Sequence, residues 1–343
     1  MSNSYSLEFN RAYGPALGQG TIRRSVEEFQ VDEILGFEPG GTGEHVYLWI
    51  KKTGANTGWV ADQLAAFLNL RHFDVGYSGR KDRHAITKQW FSCWLPGKAD
   101  PDWSQLDIEG VELIKAVRHD KKLRRGVHRA NRFKIKVSCL TCGSSEAALN
   151  ERLTRIKVTG FPNYFGPQRF GHEGHNLIKA EALFSEAFSG ALSGESSPNN
   201  RGRKQRGLYI SAARSYMFNH ELSARVASGA WHKYAQAMDP SPETNESIWL
   251  FGLAPHRDIT VPDLEEFVEW GEGLKLLGIK AMRRNLAVIP GELSWEFVAE
   301  NGSGTNGLDL SFMLPGGAYA TSLLHELIDY STSQNIFNGE PDR

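Results

Sequence analysis

The stretch GYSGRKDRHAITKQWFS, residues 76–92, sets one carboxylate, Asp82, among Arg80, Lys81, Arg83 and His84. Gly76 and Gly79 precede the cluster, and an alternating run, ITKQWFSCWL at 86–95, follows it. Two readings are open. The cluster is a solvated turn before a strand, or it holds a carboxylate ionised so that the carboxylate can act. A cation within about 4–6 Å favours the charged form of an acid even where water is partly excluded. The same cations attract a phosphate backbone. Glycines at 76 and 79 admit a close backbone or ligand.

Outward from this stretch, FQVDEIL (29–35), VYLWIKK (46–52) and RFKIKVSCL (132–140) alternate apolar and polar residues as half-buried strands do. NTGWVADQLAAFLNL opens with Asn56 or Thr57 as a cap and places Val60, Leu64, Phe67 and Leu68 on one helical face. From about 161 to 280 the period becomes helical, in HNLIKAEALFSEAF, LYISAARSYMFNHELSARVASGAW and VPDLEEFVEWGEGLKLLG, with SGESSPNNRGRKQRG as a loop between the first two. Strands return in NLAVIP, LSWEFV and GLDLSFML, before a helix over YATSLLHELIDYS. Strand-rich, helix-rich, strand-rich is the pattern of one α/β domain interrupted by an insertion, which exposed loops tolerate.

The chain of 343 residues, 40% hydrophobic and 23% charged, has the make-up of a globular protein with room for two domains. MSNSYSLEFNRAYG has no basic and apolar leader, and no apolar run approaches the ~18 residues of a membrane span. Three cysteines make no even disulfide framework. A cytoplasmic protein with free thiols is expected.

Net charge is −1, but residues 115–136, KAVRHDKKLRRGVHRANRFKIK, carry +9 and the remainder −10. RGRKQR at 201–206 is a second basic knot, whereas 239–273 hold nine acids and one arginine. Segregation of this kind builds a field on one face and suits a polyanionic partner.

Other chemistries fail on spacing. CLTC (139–142) and HEGH (172–175) are each half a zinc site, but too far apart for a finger, and the cysteines end a strand where buried thiols are common. EPGGTGEH lacks the Gly-Lys-Ser/Thr ending of a phosphate loop, and no G-x-S-x-G elbow occurs. A nucleophilic carboxylate remains the best candidate.

GRKDRHAITKQ resembles the signature G-x-K-D-x-x-A-x-T-x-Q of the TruD family of tRNA pseudouridine synthases, with Gly79, Lys81, Asp82, Ala85, Thr87 and Gln89 in place. EEFQVDEI, GEHVYLWIKKTGANTGWVADQLA, LRRGVHRANRFKIKV, FPNYFGPQRFG, ISAARSYMFNHEL and GGAYATSLLHEL are similar to further family segments, from about residue 20 to 330. Val26 and Glu28 stand where the family usually has Pro and Asp.

The resemblance implies an α/β (α+β) fold: a catalytic domain over 1–156 and 291–343 with a mixed, largely antiparallel sheet, and an inserted domain over 157–290. It implies conversion of uridine to pseudouridine in tRNA, at position 13 in bacterial members, without metal or cofactor. Asp82 would be the nucleophile and Arg23 its ionic partner. Lys81, Phe29, Asn131, Phe133 and Tyr319 would meet the substrate. The three aromatic positions also fit plain core, and Tyr319, where the family often has Phe, adds a hydroxyl that needs a partner if buried. Lys121, Lys122, Arg124, Arg125 and Arg129 would meet the RNA backbone, whose attraction is independent of sequence. Extruding a stacked uridine costs a few kcal/mol, and aromatic platforms return about 1–3 kcal/mol per base. No membrane or obligate protein partner is expected, and the chain is expected to be a monomer. Two rivals are a non-catalytic RNA-binding relative, which has no use for Asp82, and a glycosidase, which needs a second carboxylate about 5–9.5 Å away.

Overall fold

A computed structural model describes residues 5–142, 146–193, 202–232, 247–251, 267–299 and 306–333. In chain order the first elements are β1 (Gly18–Ile22), β2 (Phe29–Ile34), β3 (His45–Thr53), α1 (Thr57–Phe67), β4 (Val75–Tyr77), β5 (Ile86–Trp94), β6 (Val111–His119) and β7 (Ala130–Cys142). Next come α2 (Glu146–Thr159), β8 (Phe161–Pro162), α3 (His175–Ser193), α4 (Arg203–Ala227), β9 (Ser247–Leu250) and α5 (Val268–Leu276). The last are β10 (Met282–Asn285), β11 (Ala287–Val288), β12 (Gly291–Ala299), β13 (Asn306–Pro315), α6 (Ala320–His325) and β14 (Asp329–Thr332).

The chain divides into two compact units. One comprises Ala16–Leu153, Pro290–Gly317 and Leu327–Arg343. Its sheet of ten strands runs β12-β13-β7-β2-β5-β3-β6, with β1 beside β7 and β14, and β4 beside β5. Parallel pairing joins β1 to β14 and β2 to β5, and the rest is antiparallel, so the sheet is mixed and largely antiparallel as expected. Strand alternation is visible in the burial: Phe29, Val31 and Glu33 are covered on β2, and Val46, Leu48, Ile50 and Lys52 on β3. Asn56 caps α1, its Oδ1 accepting from Gly58 N at 2.8 Å, a bond worth about 1 kcal/mol. Val60, Ala61, Leu64, Ala65 and Leu68 then pack on Val46, Leu48, Ile50, Phe91 and Cys93.

Register is what positions the site. Parallel β2 and β5 pair Gln30 with Ile86, so the segments entering both strands lie at one end of the sheet. Antiparallel β3 pairs Lys52 with Thr87 and thus ends there. On the other side of β2, β7 sets Asn131 opposite Glu33 and Phe133 opposite Val31.

The other unit comprises Met1–Pro15, Thr154–Ile289 and Ala318–Glu326. Helices α3, α4 and α5 contribute to an aromatic core that includes Tyr164, Phe170, Phe184, Tyr216, Phe218 and Trp270. The described residues 5–15 and 318–326, expected with the catalytic segments, cluster here instead. Asn10 N donates to Ser223 Oγ at 2.8 Å, Arg11 Nε to His325 O at 2.6 Å, and Ala12 N to the buried Glu326 at 2.9 Å.

Three expectations are corrected. The helix expected over 319–331 stops at His325, and Asp329–Thr332 form β14 against β1, a partner at the far end of the sequence. Within the loop expected over 193–207, α4 already begins at Arg203. Cys139 is exposed, because β7 shifts register there and the residue takes φ +52. The expected helix over 261–278 is seen at Val268–Leu276; 261–266 lie outside the described residues.

Candidate active site

Asp82 lies on the loop between β4 and β5, its side chain 27% exposed. Arg23 Nη2 meets Asp82 Oδ2 at 2.5 Å, and Asp82 Oδ1 accepts from His84 N at 3.1 Å. Arg23 precedes β2 in a left-handed conformation, φ +59, which costs a non-glycine residue on the order of 1–2 kcal/mol. Its guanidinium lies over the Phe29 ring, 4.1 Å from the centroid. An ion pair and a ring contact together fix the side chain that this strained backbone carries.

The Asp82 loop is pinned from below by buried polar groups. Gln89 Nε2 donates to Gly79 O at 3.2 Å, and Lys81 N donates to Thr57 Oγ1 at 3.0 Å. Thr57 Oγ1 in turn donates to Gln89 Oε1 at 2.9 Å. Lys52, fully buried, donates through Nζ to Ala55 O and to Asp82 O, both at 2.8 Å.

Lys81 does not face solvent. Its ammonium lies 2.8 Å from Glu33 Oε2 and donates to Asn131 Oδ1 at 2.7 Å. Ser78 Oγ donates to Glu33 Oε2 at 2.9 Å and stands 2.7 Å from His128 Nδ1, while Asn131 Nδ2 stands 3.3 Å from His128 Nε2. A serine has one proton to give, so His128 must carry its own on Nδ1 and accept at Nε2. Glu33, Ser78, His128, Asn131 and Lys81 thereby close a ring of hydrogen bonds that works only with a neutral imidazole. Burial pushes the His128 imidazolium pKa down, Lys81 adds to this, and Glu33 opposes it.

Phe29 and Phe133 meet edge to face at 6.3 Å, and Phe133 stacks on Phe312 at 5.4 Å. Both are almost covered, at 3% and 8% exposure. Direct contacts thus link Asp82, Arg23, Phe29 and Phe133, and the ring links Lys81 and Asn131. Tyr319 belongs to the other unit. There its hydroxyl accepts from Arg169 Nε at 3.0 Å and Nη2 at 2.5 Å, and its ring meets Phe165 at 5.8 Å. Asn219 brackets Phe165, accepting from its N at 2.9 Å and donating to its O at 3.0 Å. The segments FPNYFGPQRFG, ISAARSYMFNHEL and GGAYATSLLHEL therefore converge on one another.

The +9 stretch splits into two parts. On the strands, Arg118 pairs with Asp100 and Arg132 with Glu292. On the connecting loop, Lys121, Lys122, Arg124, Arg125 and Arg129 are exposed. That loop runs against the segment that leads to Asp82: Gly126 N donates to Ser78 O at 2.7 Å, and a Cβ on Gly76 would lie 2.4 Å from Leu123 O. The close neighbour that Gly76 admits is the basic loop itself. A trough of about 690 Å³ along β2, β7, β12 and β13 is lined by Glu27, Glu28, Glu296 and Asp309 as well as Lys134 and Lys136, a mixture that gives a polyanion no net attraction.

Lys52, Glu33 and His128 were missed by motif reading. For the first two a signal existed, since a charge at an inward position of an alternating strand, as in VYLWIKK and FQVDEI, marks a buried ion.

The family model described as tRNA pseudouridine synthase D (TruD) matches residues 15–194. The tRNA pseudouridine synthase D of Cellvibrio japonicus is 40% identical, covering 98% of this chain and 97% of that protein. That of Methylococcus capsulatus is 40% identical, covering 93% and 94%. In fold, a Methanosarcina mazei protein crystallised under the name tRNA pseudouridine synthase D (TruD) superposes with a TM-score of 0.64 at 21% identity, covering 93% of this chain and 95% of its own. On sequence, fold and the motif around Asp82 alike, the chain belongs to the TruD family of tRNA pseudouridine synthases.

Proposed function

We propose that the protein isomerises uridine to pseudouridine in tRNA, at position 13, with Asp82 as the nucleophile. The observation that carries this is the state of Asp82, a reachable carboxylate on a pinned loop with one oxygen held by Arg23 and the other by a backbone N–H. In the reaction the bond from ribose C1′ to uracil N1 breaks with assistance from the carboxylate. The freed base turns, and C5 joins C1′. The proton on C5 leaves and N1 gains one, so the product is an isomer and no oxidant or reductant is consumed. Arg23 holds the carboxylate in place, Asn131, Phe133, Phe29 and Tyr319 serve the substrate, and Lys121, Lys122, Arg124, Arg125 and Arg129 meet phosphates. Lys81 acts on the substrate through Asn131, which it orients. We read the protein as a monomer acting in the cytoplasm; among the described residues no helix is long and apolar enough to cross a membrane.

A glycosidase reading weakens further here. Glu33, a buried carboxylate in the same assembly, is neutralised by Lys81 and is not free to act as a second catalytic acid. The test is Asp82→Asn in single-turnover pseudouridine formation with enzyme in excess. An amide is a very poor nucleophile, so turnover should vanish while tRNA affinity and the melting curve barely change. Turnover within tenfold of wild type would show that another group attacks.

A further inference from the structure

We propose that Lys52 is a positioning residue for this reaction: its buried ammonium grips the main chain at Asp82 and so fixes where the nucleophilic carboxylate stands. The inference rests on Asp82 being the nucleophile.

Strand β3 alternates, and its inward positions Val46, Leu48 and Ile50 pack on α1. Lys52 occupies the next inward position and is 0% exposed. An apolar residue is the default at such a place, because removing an ammonium from water is costly unless it is well bonded. The bonds it makes go to main-chain carbonyls. Ala55 O belongs to the turn that enters α1, and Asp82 O to the nucleophile itself. Gln89 and Thr57 hold the main chain of this loop at points before Asp82, at Gly79 and Lys81, and the ion pairs of Lys81 and Arg23 hold side chains. Lys52 is the anchor that reaches the peptide of the attacking residue. A carbonyl there has no ladder partner, since β5 begins only at Ile86. Without the ammonium, Asp82 O would be left to seek another donor, and the carboxylate would move with it. Misplacing a reacting atom by about 1 Å can cost 10²-fold in rate. Burial draws Lys52 down to about 8, while the charge of Asp82 pulls upward and that of Lys81 downward, so the group is mostly an ammonium at neutral pH.

The test uses the full chain and single-turnover kinetics at saturating enzyme. Lys52→Met should slow the chemical step by about 100-fold and leave the tRNA dissociation constant within about threefold. Lys52→Ala opens space for a small primary amine, and ethylammonium or propylammonium should restore the rate of this variant at least tenfold, saturably. Tetramethylammonium, which has no N–H to donate, should restore nothing. A lysine that merely holds the fold gives a different pattern, with activity lost in proportion to the unfolded fraction on the melting curve. That pattern overturns the inference, as does a Lys52→Met rate within threefold of wild type or a loss that no amine repairs. Asp82→Asn run alongside separates the two ideas. If it retains turnover, the nucleophile is wrong; if it is inert while Lys52→Met is normal, the positioning role alone fails.

Discussion

Lys81 and Glu33 form an ion pair at 2.8 Å with side chains only 5% and 0% exposed. The residue that precedes Asp82 therefore points its charge into the protein, where it holds Asn131. A buried pair is expensive to break from one side, because the surviving charge is left uncompensated at a cost of about 3–5 kcal/mol. Lys81→Met and Glu33→Gln should each lose stability of that order in urea unfolding, and the double variant should lose clearly less than their sum. Additive losses would mean that the two charges do not feel each other.

The exposed part of the basic stretch should answer to salt. Changing Lys121, Arg124 and Arg125 to Ala should weaken tRNA binding regardless of sequence and reduce the salt slope by about 2 to 3. Arg132→Ala, which removes a charge already paired with Glu292, should leave the slope unchanged. Filter binding of one tRNA over a range of salt distinguishes the two, and an equal effect at both places would spread the RNA site over the strands.

Lys52 makes stability depend on pH in a stated direction. Its folded value of about 8 lies below its ordinary 10.5, so the native state releases this proton first. Between those values the unfolded chain binds more protons, and stability rises with pH; it is lost again as pH falls through the folded value. Relative to Lys52→Met, the wild type should gain about 2 kcal/mol between about pH 7.5 and about pH 9.5. A constant difference between the two proteins would show that the ammonium is not desolvated.

Turnover should not need a metal. Cys93 is buried in the core beside α1, Cys139 faces solvent, and His172 is an exposed neighbour of Glu173. Protein treated with a strong chelator and then desalted should keep its full single-turnover rate; loss of the rate, restored by zinc, would contradict this.

Local pattern revealed those parts of the fold whose causes are local. The alternation of 29–34, 45–53 and 86–94 and the cap at Asn56 each reflect neighbours a few residues away, and they match the structure. β6 escaped because it is an edge strand with half-exposed residues and a blurred period. β14 was mistaken for helix because Leu323, Leu324, Leu327 and Ile328 keep helical spacing past the end of α6, while the strand that recruits 329–332 is β1. The site shows the same division. Asp82 and Arg23 stand in recognisable motifs, and they do meet. The hydrogen-bond ring joins residues from β2, β7 and two loops, and the sequence says nothing of who faces whom until register is known. His128 in particular reads as one more member of a charged run, yet its value lies in being uncharged.

The contact between Gly76 and the Leu123 carbonyl has a consequence for how the basic loop can change. Any side chain at 76 would push the basic loop off β4, the strand that leads into the Asp82 loop. The path of the loop is thus tied to the segment that leads to Asp82, whereas the side chains at 121 and 124 are exposed and can vary without moving it. Drift or engineering can reassign these charges one at a time. Inserting or deleting residues there would move Ser78, and with it the interior bonds behind Asp82, so the charge of this loop is adjusted by substitution and not by remodelling its path.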